Sequence, residues 1–520
     1  MTVANADPEV LIVGGGPVGL TARALLERWG VRVALVEKHG ELSPFPRSRL
    51  VNVRTMEIFR GLGVADAVAA RAFAPEFGRV RFRNTLGEPD FATAAMIGVN
   101  APIPQSPAVG AVTSQDRLEP ALLAAAKTPP RFGAELVALT QDRDGVTALL
   151  TDRATGAETS VRARYLIAAD GANSTVRQRL GIDVTGPGAI GEATTVVFDA
   201  DLRDWCAAQP SGVYFTSHGS VMPLYPEGGW GWFGPTPADR VGVDWEKLVV
   251  AAFGPGVDAA VEVVRIQHWV MSAFVAERLR HGRVFLAGDA AHTVPVIGGL
   301  GMNLGVADVH NLCWKLAGVL RGWAGPRLLE TYAAERLPVA HRTMRRALAN
   351  AEMLGRAQRA RLERAGRDVP PTEDELPWSE EYFAQLGLVM GAVYRSTAVL
   401  GDDSEPPEPG ADYVQTAQPG HRMPHRWLAP GRSTLDALGE WFTLFTPDPV
   451  GWEQPAQVPL RIEILSVADA EQCGLGPRGA VLVRPDGHIA AHWPDHPGDD
   501  GELERAFGAI SGSAVPGAFG

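Results

Sequence analysis

The chain has 520 residues, 46% of them hydrophobic, and a formal net charge of −12 at pH 7. That length is enough for two or three domains with a sizeable core. The negative charge argues against nucleic acid and anionic membrane surfaces as partners, because both need a basic face on the protein.

Cysteine usage and the lack of long apolar runs indicate the cellular compartment. The three cysteines, Cys206, Cys313 and Cys473, are far apart and form no CxxC pair. This favours a reducing compartment with no disulfide and no metal site. The N-terminus has no basic segment followed by an apolar one, and no apolar run reaches about 18 residues. We therefore expect a cytoplasmic protein without a membrane segment.

The first motif is a strand, a glycine-rich turn, a helix and a second strand. A buried apolar strand runs into GGGPVG at 14–19, and the second strand ends at Glu37. Gly14, Gly16 and Gly19 occupy the G-x-G-x-x-G positions, which serve the tight turn, the approach of a pyrophosphate and helix–strand packing. Glu37 can accept hydrogen bonds from ribose hydroxyls and disfavours a 2′-phosphate. The unit predicts a Rossmann site for FAD or NAD.

A second G-x-G-x-x-G match lies at 186–191, but no buried strand precedes it. The residues that follow, 193–198, are typical of a strand and not of a helix. We therefore predict no second dinucleotide site, and we expect a nicotinamide cofactor to bind only transiently.

Residues 192–274 have period-two segments rich in aromatic residues, which predict an antiparallel sheet inserted between the Rossmann segments. Tyr214, Tyr225, Trp232 and Trp269 lie in this stretch. Each could line the binding site of an aromatic ligand or pack in the core of the sheet.

The segment 283–316 is the strongest candidate for a ligand site. An apolar strand ends at Gly288-Asp289, a loop with Pro295, Gly298 and Gly301 follows, and a helix is predicted to start near Asn303. A carboxylate, glycines that allow close backbone approach and a helix N-terminus together favour a polar, partly anionic ligand.

The rest of the chain is predicted to be helical and then to form a separate domain. Residues 326–366 have the pattern of a long amphipathic helix, and 402–410 are an acidic, proline-rich linker. Strand signals at 461–467 and 479–483 predict a small α/β domain.

Three features occur together, namely GGGPVG at 14–19, Asp170-Gly171 after a strand, and GDAAHTVPVIGGLGMN from Gly288. Together they resemble the single-component FAD-dependent aromatic hydroxylases, or class A flavoprotein monooxygenases. The C-terminal PGHRMPH and LVRPDGHIAAHW resemble the thioredoxin-like tail of the phenol and aromatic-polyketide hydroxylases, here without CxxC. The resemblance implies an α/β fold of the para-hydroxybenzoate hydroxylase type. Its FAD domain would comprise 1–75, 113–182 and 275–400, its substrate sheet domain 76–112 and 183–274, and its tail 411–520.

The resemblance also implies roles for individual residues. FAD would contact Gly14, Gly16, Pro17, Gly19, Glu37, Lys38, Arg47, Gln115, Asp170, Gly171, Asp289, Pro295, Gly298, Gly301, Met302 and Asn303. Substrate would contact Arg49, Tyr214, Trp232, Gln267, Trp269 and Arg395. Tyr214 and Arg395 would be catalytic, favouring the phenolate form of the ring.

The chemistry implied is that of a monooxygenase with non-covalently bound FAD. NADPH or NADH would reduce the flavin and leave, O2 would add at C4a, and the hydroperoxide would hydroxylate a phenolic, heteroaromatic or polyketide ring. The partners would be the aromatic substrate, O2 and NAD(P)H, and a homo-oligomer stays open.

Three alternatives compete with this interpretation. Residues 229–235, GWGWFGP, resemble the G-W-x-W-x-I-P signature of flavin-dependent halogenases, but Gly234 replaces the isoleucine. A halogenase also needs an active-site lysine in the early middle of the chain, and no lysine occurs between Lys38 and Lys127. The others are a flavin reductase without oxygen chemistry and a non-catalytic flavin-carrying binding protein. Halide dependence separates the first from a hydroxylase, and oxygen consumption separates the other two.

Overall fold

The computed structural model describes residues 7–239, 242–364, 385–401, 412–452, 458–498 and 501–512. Its strands are β1 Val10–Val13, β2 Val33–Glu37, β3 Leu50–Val51, β4 Arg79–Phe82, β5 Ala92–Ala95, β6 Ala111–Val112, β7 Arg131–Phe132, β8 Ala134–Gln141, β9 Val146–Asp152, β10 Glu158–Ala163, β11 Tyr165–Ala168, β12 Val184–Asp199, β13 Val213–Thr216, β14 Gly219–Tyr225, β15 Gly228–Pro235, β16 Glu262–Ala276, β17 Arg280–His281, β18 Val284–Leu286, β19 His292–Thr293, β20 Trp427–Ala429, β21 Arg432–Ser433, β22 Phe442–Thr446, β23 Leu460–Ile464, β24 Ala480–Val483 and β25 Ile489–Trp493.

The α-helices complete the description. They are α1 Pro17–Arg28, α2 Val53–Gly61, α3 Ala65–Ala69, α4 Gln115–Ala124, α5 Thr175–Arg179, α6 Arg203–Ala208, α7 Trp245–Phe253, α8 Gly301–Arg321, α9 Thr331–Arg364, α10 Leu386–Met390, α11 Val467–Gln472 and α12 Glu502–Ser511. The described helices include none long and apolar enough to cross a membrane. The predicted linker at 402–410 lies outside the described residues.

The first domain is built on a six-stranded sheet in the order β17-β18-β11-β1-β2-β7. All neighbours pair in parallel except the edge strand β17. Strands β1, β11 and β18 are buried along their whole length, as expected for a parallel sheet covered on both faces. The carboxyl ends of β1, β2, β11 and β18 therefore meet at one edge, directly before the motifs that the sequence singled out.

The apolar stretch 161–169, predicted as the strand before Asp170-Gly171, is divided between two strands. β10 pairs with β9 in a separate three-stranded sheet, and β11 joins the parallel sheet beside β1. The backbone N–H groups of Arg164 and Tyr165 both donate to the Glu9 carbonyl, which fixes the point where the chain passes between sheets. An uninterrupted apolar pattern cannot show such a change of sheet.

The predicted inserted sheet is an eight-stranded sheet in the order β19-β16-β12-β15-β14-β13-β4-β5. Its pairs are antiparallel except β13 with β4. The second G-x-G-x-x-G match, 186–191, lies inside β12, so the prediction that it forms no dinucleotide turn is confirmed.

The C-terminal domain contains a four-stranded mixed sheet in the order β23-β22-β24-β25, with α11 and α12. The predicted strands correspond to β23 and β24. The predicted segment boundaries and the thioredoxin-like character of this tail stay predictions.

A buried ionic network joins the C-terminal domain to the first domain. Arg484 donates to both carboxylate oxygens of Glu335, over 2.6 and 2.8 Å, and also bonds Asp486. Lys315 donates to Glu335 over 2.7 Å, and Trp314 donates to Asp486 over 3.2 Å. Burial opposes the charge on Glu335, but Arg484 and Lys315 prevail and hold its pKa at about 2. Burial lowers the pKa of Lys315 to about 8, against the attraction of Glu335.

Replacing Arg484 with methionine should destabilise the protein strongly, because Glu335 and Asp486 would stay buried without their shared cation. We expect a loss of about 3–5 kcal/mol in the free energy of the first unfolding transition in urea. The matched control is Arg478→Met in the same domain, where an exposed side chain lies 3.9 Å from Asp495 and the change should stay within about 0.5 kcal/mol. Equal effects of the two substitutions would contradict the role given to the network.

Candidate active site

The glycine-rich turn has the geometry that a dinucleotide site requires. Gly14 has φ +110°, and a Cβ there would collide with the carbonyl of Ala169 at the end of β11. A Cβ on Gly19 would collide with the Gly14 carbonyl, so this glycine lets α1 pack on the turn. A Cβ on Gly16 would meet nothing within 4 Å. The turn therefore leaves open space at the N-terminus of α1, where a pyrophosphate can bind.

Glu37 is fixed against this turn. Its Oε2 accepts the backbone N–H of Gly15 over 2.6 Å, and its Oε1 accepts the backbone N–H of His39 over 2.9 Å. The carboxylate is thus held at the carboxyl end of β2, beside the turn, as the ribose-binding acid of a Rossmann unit should be. Lys38, the next residue, is exposed.

A second group of side chains lies on the other side of the turn. Gln115 begins α4 and donates to Glu119 Oε1 over 2.7 Å, while the backbone N–H of Ser43 donates to Glu119 Oε2 over 3.1 Å. Burial raises the pKa of Glu119, with Arg47 opposing the rise and Glu37 adding to it. Arg47, Gln115 and Glu37 therefore all lie close to Glu119. The sequence analysis missed Glu119, although an acid four residues after Gln115 on one helix face was a usable signal.

Asp289 is the open carboxylate of the site. Asp289 keeps solvent-accessible surface, but protein atoms crowd around its carboxylate. This partial desolvation raises its pKa, and the attraction of His292 and Arg47 opposes the rise. The described residues give it no hydrogen bond. An acceptor without a protein donor, facing Arg47 across the end of the sheet, suits a ligand with hydroxyl groups.

Asp170 has a different environment from Asp289. It accepts the Ser174 hydroxyl over 2.5 Å and the Val176 N–H over 3.1 Å, so it helps start α5. Burial raises its pKa. Arg177 donates to the Ala290 carbonyl over 2.9 Å and so ties this helix to the loop of Asp289. Gly171, with φ +84°, has open space beside it.

The loop before α8 is held by Asn303. Its Nδ2 donates to the carbonyls of Leu50 and Gly299, over 2.9 and 2.7 Å, and its Oδ1 accepts the Asn52 N–H over 3.0 Å. The helix begins at Gly301, so Asn303 lies in its first turn, close to the predicted start. Pro295 is buried, and Gly298, Gly301 and Met302 are partly buried.

Behind this loop lies Asp308, which the sequence analysis did not single out. Its carboxylate accepts the Gly288 N–H over 3.1 Å, contacts His292 Nε2 at 2.6 Å and accepts Arg336 Nε over 2.8 Å. All three side chains are buried. An acid among apolar neighbours in a predicted helix was the only signal available for this role.

Strand pairing decides which residues of the inserted sheet face the first domain. One row across the sheet joins directly paired residues, namely Phe215, Ser220, Phe233, Thr195 and Gln267. Phe215 packs against the cluster formed by Ile297, in the loop before α8, and Leu354 of α9, so this row faces the loop and α9. Trp269 lies two residues beyond Gln267 on β16 and shares its face.

The adjacent row points the other way, which corrects two predictions. It joins Tyr214, Val221, Trp232, Val196 and Ile266. Tyr214 has no exposed surface and donates its hydroxyl to the Gln209 carbonyl over 2.8 Å. Trp232 donates to the His218 carbonyl over 2.7 Å. Both belong to the core between the sheet and its covering helices, because neighbouring strand positions face opposite sides.

The two predicted arginines are engaged with backbone carbonyls. Arg49 Nη1 donates to Gly212 over 2.8 Å and Nη2 to Pro223, so the side chain bridges the first domain and the sheet. Burial lowers its pKa to about 10. Arg395 donates to the carbonyl of Pro419 over 3.0 Å, so its guanidinium contacts the backbone of the C-terminal segment.

Of the remaining predicted residues, Trp269 forms an aromatic wall together with Phe233. Trp269 stacks on Phe233 with ring centroids 5.5 Å apart and planes 18° apart, and its Nε1 donates to Thr195 over 3.1 Å. Gln267 lies beside them. On the same face Arg265 reaches Pro44, just before Arg47. Phe215, Phe233 and Thr195 were missed, although period-two alternation with the opposite phase would have selected them.

The site as a whole fits FAD. It offers an open glycine at a helix N-terminus, an acid at the end of β2, an exposed arginine and, just after β18, a carboxylate to which the described residues donate no hydrogen bond. Beyond them, the loop before α8 faces an aromatic wall.

Comparisons with known proteins agree with this geometry. The FAD binding domain family matches residues 7–347, and the family described as aromatic-ring hydroxylase, C-terminal, matches residues 416–514. The chain is 36% identical to aklavinone 12-hydroxylase DnrF of Streptomyces peucetius, over 89% of this chain and 96% of the relative. It is also 36% identical to tetracenomycin A2 monooxygenase-dioxygenase of Streptomyces glaucescens, over 98% and 97%.

Solved structures give the same result. The flavin-dependent monooxygenase PieE, in complex with FAD and substrate, superposes with a TM-score of 0.88 at 34% identity, covering 98% of this chain and all of that one. Aklavinone-11 hydroxylase, in a ternary complex with FAD and aklavinone, has a TM-score of 0.84 at 34% identity and the same coverage.

Replacing Asp289 with alanine should weaken FAD binding, because the site loses its open charged acceptor. A hydrogen bond to a charged group contributes about 1.5–3 kcal/mol, so we expect the dissociation constant to rise roughly 10- to 150-fold. Asp289→Asn, which keeps an acceptor oxygen, should lose less. Titration of the apoprotein with FAD, followed by flavin fluorescence, measures both. An unchanged dissociation constant for Asp289→Ala would show that this carboxylate does not contact the flavin.

Proposed function

Because the chain belongs to the FAD-dependent aromatic-ring hydroxylases and is a flavin monooxygenase, we propose that its substrate is a fused-ring aromatic polyketide. The observation that carries this proposal is the aromatic wall of Trp269, Phe233 and Phe215 opposite the loop before α8. A flat wall of this kind suits a planar ring system, since aromatic rings attract in offset-stacked geometry. The relatives named for aklavinone and tetracenomycin substrates support it.

The predicted FAD cofactor and monooxygenase activity are confirmed by these matches, and the other interpretations of the sequence lose support. Relatives with high similarity are named as hydroxylases or monooxygenases. The halogenase-like segment forms β15, and its Trp230 and Trp232 are buried in the core on the far face of the sheet. Those two tryptophans therefore have a structural explanation.

In the proposal, this chain's residues hold FAD by the contacts that the site geometry offers. Gly14, Gly16, Pro17 and Gly19 would form the pyrophosphate turn, with Arg47 beside it. Glu37 would accept ribose hydroxyls, and Asp289 and Gln115 would serve the ribityl chain. The flavin ring would lie along the segment from Pro295 to Asn303. Bound FAD, reduced by NADPH or NADH, supplies the oxygen chemistry.

The substrate ring would be positioned by the face of the sheet that includes Gln267. Trp269 and Phe233 would hold the ring plane, while Gln267 and Thr195 would offer polar contacts to its oxygen substituents. Arg49 would keep the sheet and the FAD domain in register. Gln267 takes the polar role that the sequence had given to Tyr214, because the two residues face opposite sides of the sheet. Such packing would orient the ring and exclude water, which keeps NADPH oxidation coupled to hydroxylation.

The proposal is tested by substrate-stimulated oxidation of NADPH and NADH, followed with oxygen uptake and product mass. Aklavinone and tetracenomycin A2 should stimulate oxidation and give a product heavier by one oxygen atom. 4-Methyl-5-nitrocatechol, the compound named for a 35% identical relative from Burkholderia, serves as the single-ring comparison. Turnover of the catechol with no response to either polyketide would overturn the proposed substrate class.

Trp269→Leu should raise the KM for the best polyketide substrate roughly 3- to 10-fold, since an aromatic pair is worth about 0.5–1.5 kcal/mol beyond its buried area. Hydrogen peroxide released per NADPH should rise as well, while FAD affinity stays unchanged. The matched control is His268→Leu, because His268 is the preceding residue and points to the other face. Wild-type KM and coupling in Trp269→Leu would remove this residue from the substrate wall.

A further inference from the structure

A small cavity lies between the FAD domain and the C-terminal domain, on the side of α8 away from the glycine-rich turn. Its volume is about 60 Å³, room for roughly four water molecules. Helices α2, α8, α9 and α10 contribute to its lining, together with Tyr394 and His488. The polar lining residues that matter below are Arg54, His310, Arg336, Tyr394 and His488.

Two histidines of this cavity have ring nitrogens to which the described part of the chain gives no hydrogen bond. His310 lines it from α8, and the described part of the chain gives its ring no hydrogen bond. His488 is 4% exposed, its Nδ1 has no hydrogen-bond partner, and it lies 3.7 Å from the nearest Asp486 oxygen, beyond hydrogen-bond range. Tyr394 accepts a bond from Arg336 over 3.0 Å and keeps its own hydroxyl proton to donate. The cavity therefore offers unused donors, namely the Tyr394 hydroxyl and one ring N–H on each histidine, beside the unprotonated nitrogen of each ring.

The charges around the cavity do not balance. With histidines left aside, the buried ions of the described residues form three separate groups, namely Arg54 and Arg422 with Glu57, Lys315 and Arg484 with Glu335 and Asp486, and Arg336 with Asp308. Only Arg54 and Arg336 line the cavity, and the excess positive charge belongs to the group of Arg54. The most exposed of their side chains, Arg54, is 12% exposed. One positive charge in excess is costly in such surroundings, because a buried charge needs a counter-charge.

The histidines do not change this count. Burial, helped by Arg54, lowers the pKa of His310 to about 3. Burial also lowers the pKa of His488 to about 4, although Asp486 opposes the shift. Both rings are thus neutral at pH 7 and can each donate one N–H. The first turn of α8, with Leu300 and Asn303, borders the same space and adds the positive end of a 21-residue helix.

We propose that this cavity binds one small monovalent anion, with chloride as the fitting probe, held by Arg54, the ring N–H groups of His310 and His488, and the Tyr394 hydroxyl. One negative charge matches the excess of one positive charge, and the volume admits an ion of this size with a few waters. The site joins α2, α8 and the C-terminal domain, so occupancy stabilises the docking of the two domains. The cavity borders the proposed FAD site at Asn303, but it shares no residue with the proposed substrate wall, so the inference does not depend on the substrate class.

The test compares thermal unfolding of the FAD-bound protein in sodium chloride and in sodium gluconate at equal ionic strength. Chloride should raise the melting temperature in a saturable way, since a bound ligand suppresses unfolding by the factor 1 + [L]/Kd, about 100-fold at 100 Kd. His310→Phe, which fills the cavity, should abolish the difference between the salts. The matched control His218→Phe, at an exposed histidine, should keep it.

Crystals grown in sodium bromide give a second readout on the unaltered protein, so the test does not depend on a variant that folds. An anomalous peak in the cavity beside His310 and His488 is expected. Equal melting temperatures in the two salts, an unchanged chloride response in His310→Phe, or bromide-grown crystals with water alone in the cavity would each overturn the proposal.

Discussion

The carboxylate of Asp308 is the interaction on which the arrangement of the FAD domain depends. It reaches from α8 to the Gly288 N–H, to His292 and to Arg336 of α9. One buried group thereby fixes the loop that carries Asp289 against both long helices. Burial opposes its charge, yet His292 and Arg336 prevail and lower its pKa. The carboxylate therefore stays ionised and continues to accept all three bonds.

From Asp308 the chain of contacts continues to the C-terminal domain. Arg336 donates to Tyr394, whose ring stacks on His488 with centroids 3.9 Å apart. Arg484, which also bonds Asp486, then connects the tail to Glu335 in the same helix as Arg336. Since a buried ion needs a counter-charge, the tail supplies Arg484 as a counter-charge to the buried Glu335 of the FAD domain. That dependence gives a domain without CxxC a structural reason to be present.

The substrate side depends on a different constraint, the register of the inserted sheet. Neighbouring positions on a strand face opposite sides, so a shift of one residue exchanges the ligand wall with the core. Phe215 faces the loop before α8, and Tyr214, one residue earlier, packs in the core. Arg49 bonds two carbonyls of this sheet and so fixes its position relative to the FAD domain.

The sequence alone determined the local features of this protein. It predicted the glycine-rich turn with Glu37, the carboxylate Asp289 at a strand end, the inserted sheet and the family resemblance, because each depends on residues close together in the chain. Only the tertiary structure decided which face of the sheet meets the loop before α8. It also decided that Glu119 and Asp308 support the site, and that a cavity lined by charged residues lies between two domains. These features depend on strand pairing and on contacts between residues far apart in the chain, which local patterns do not encode.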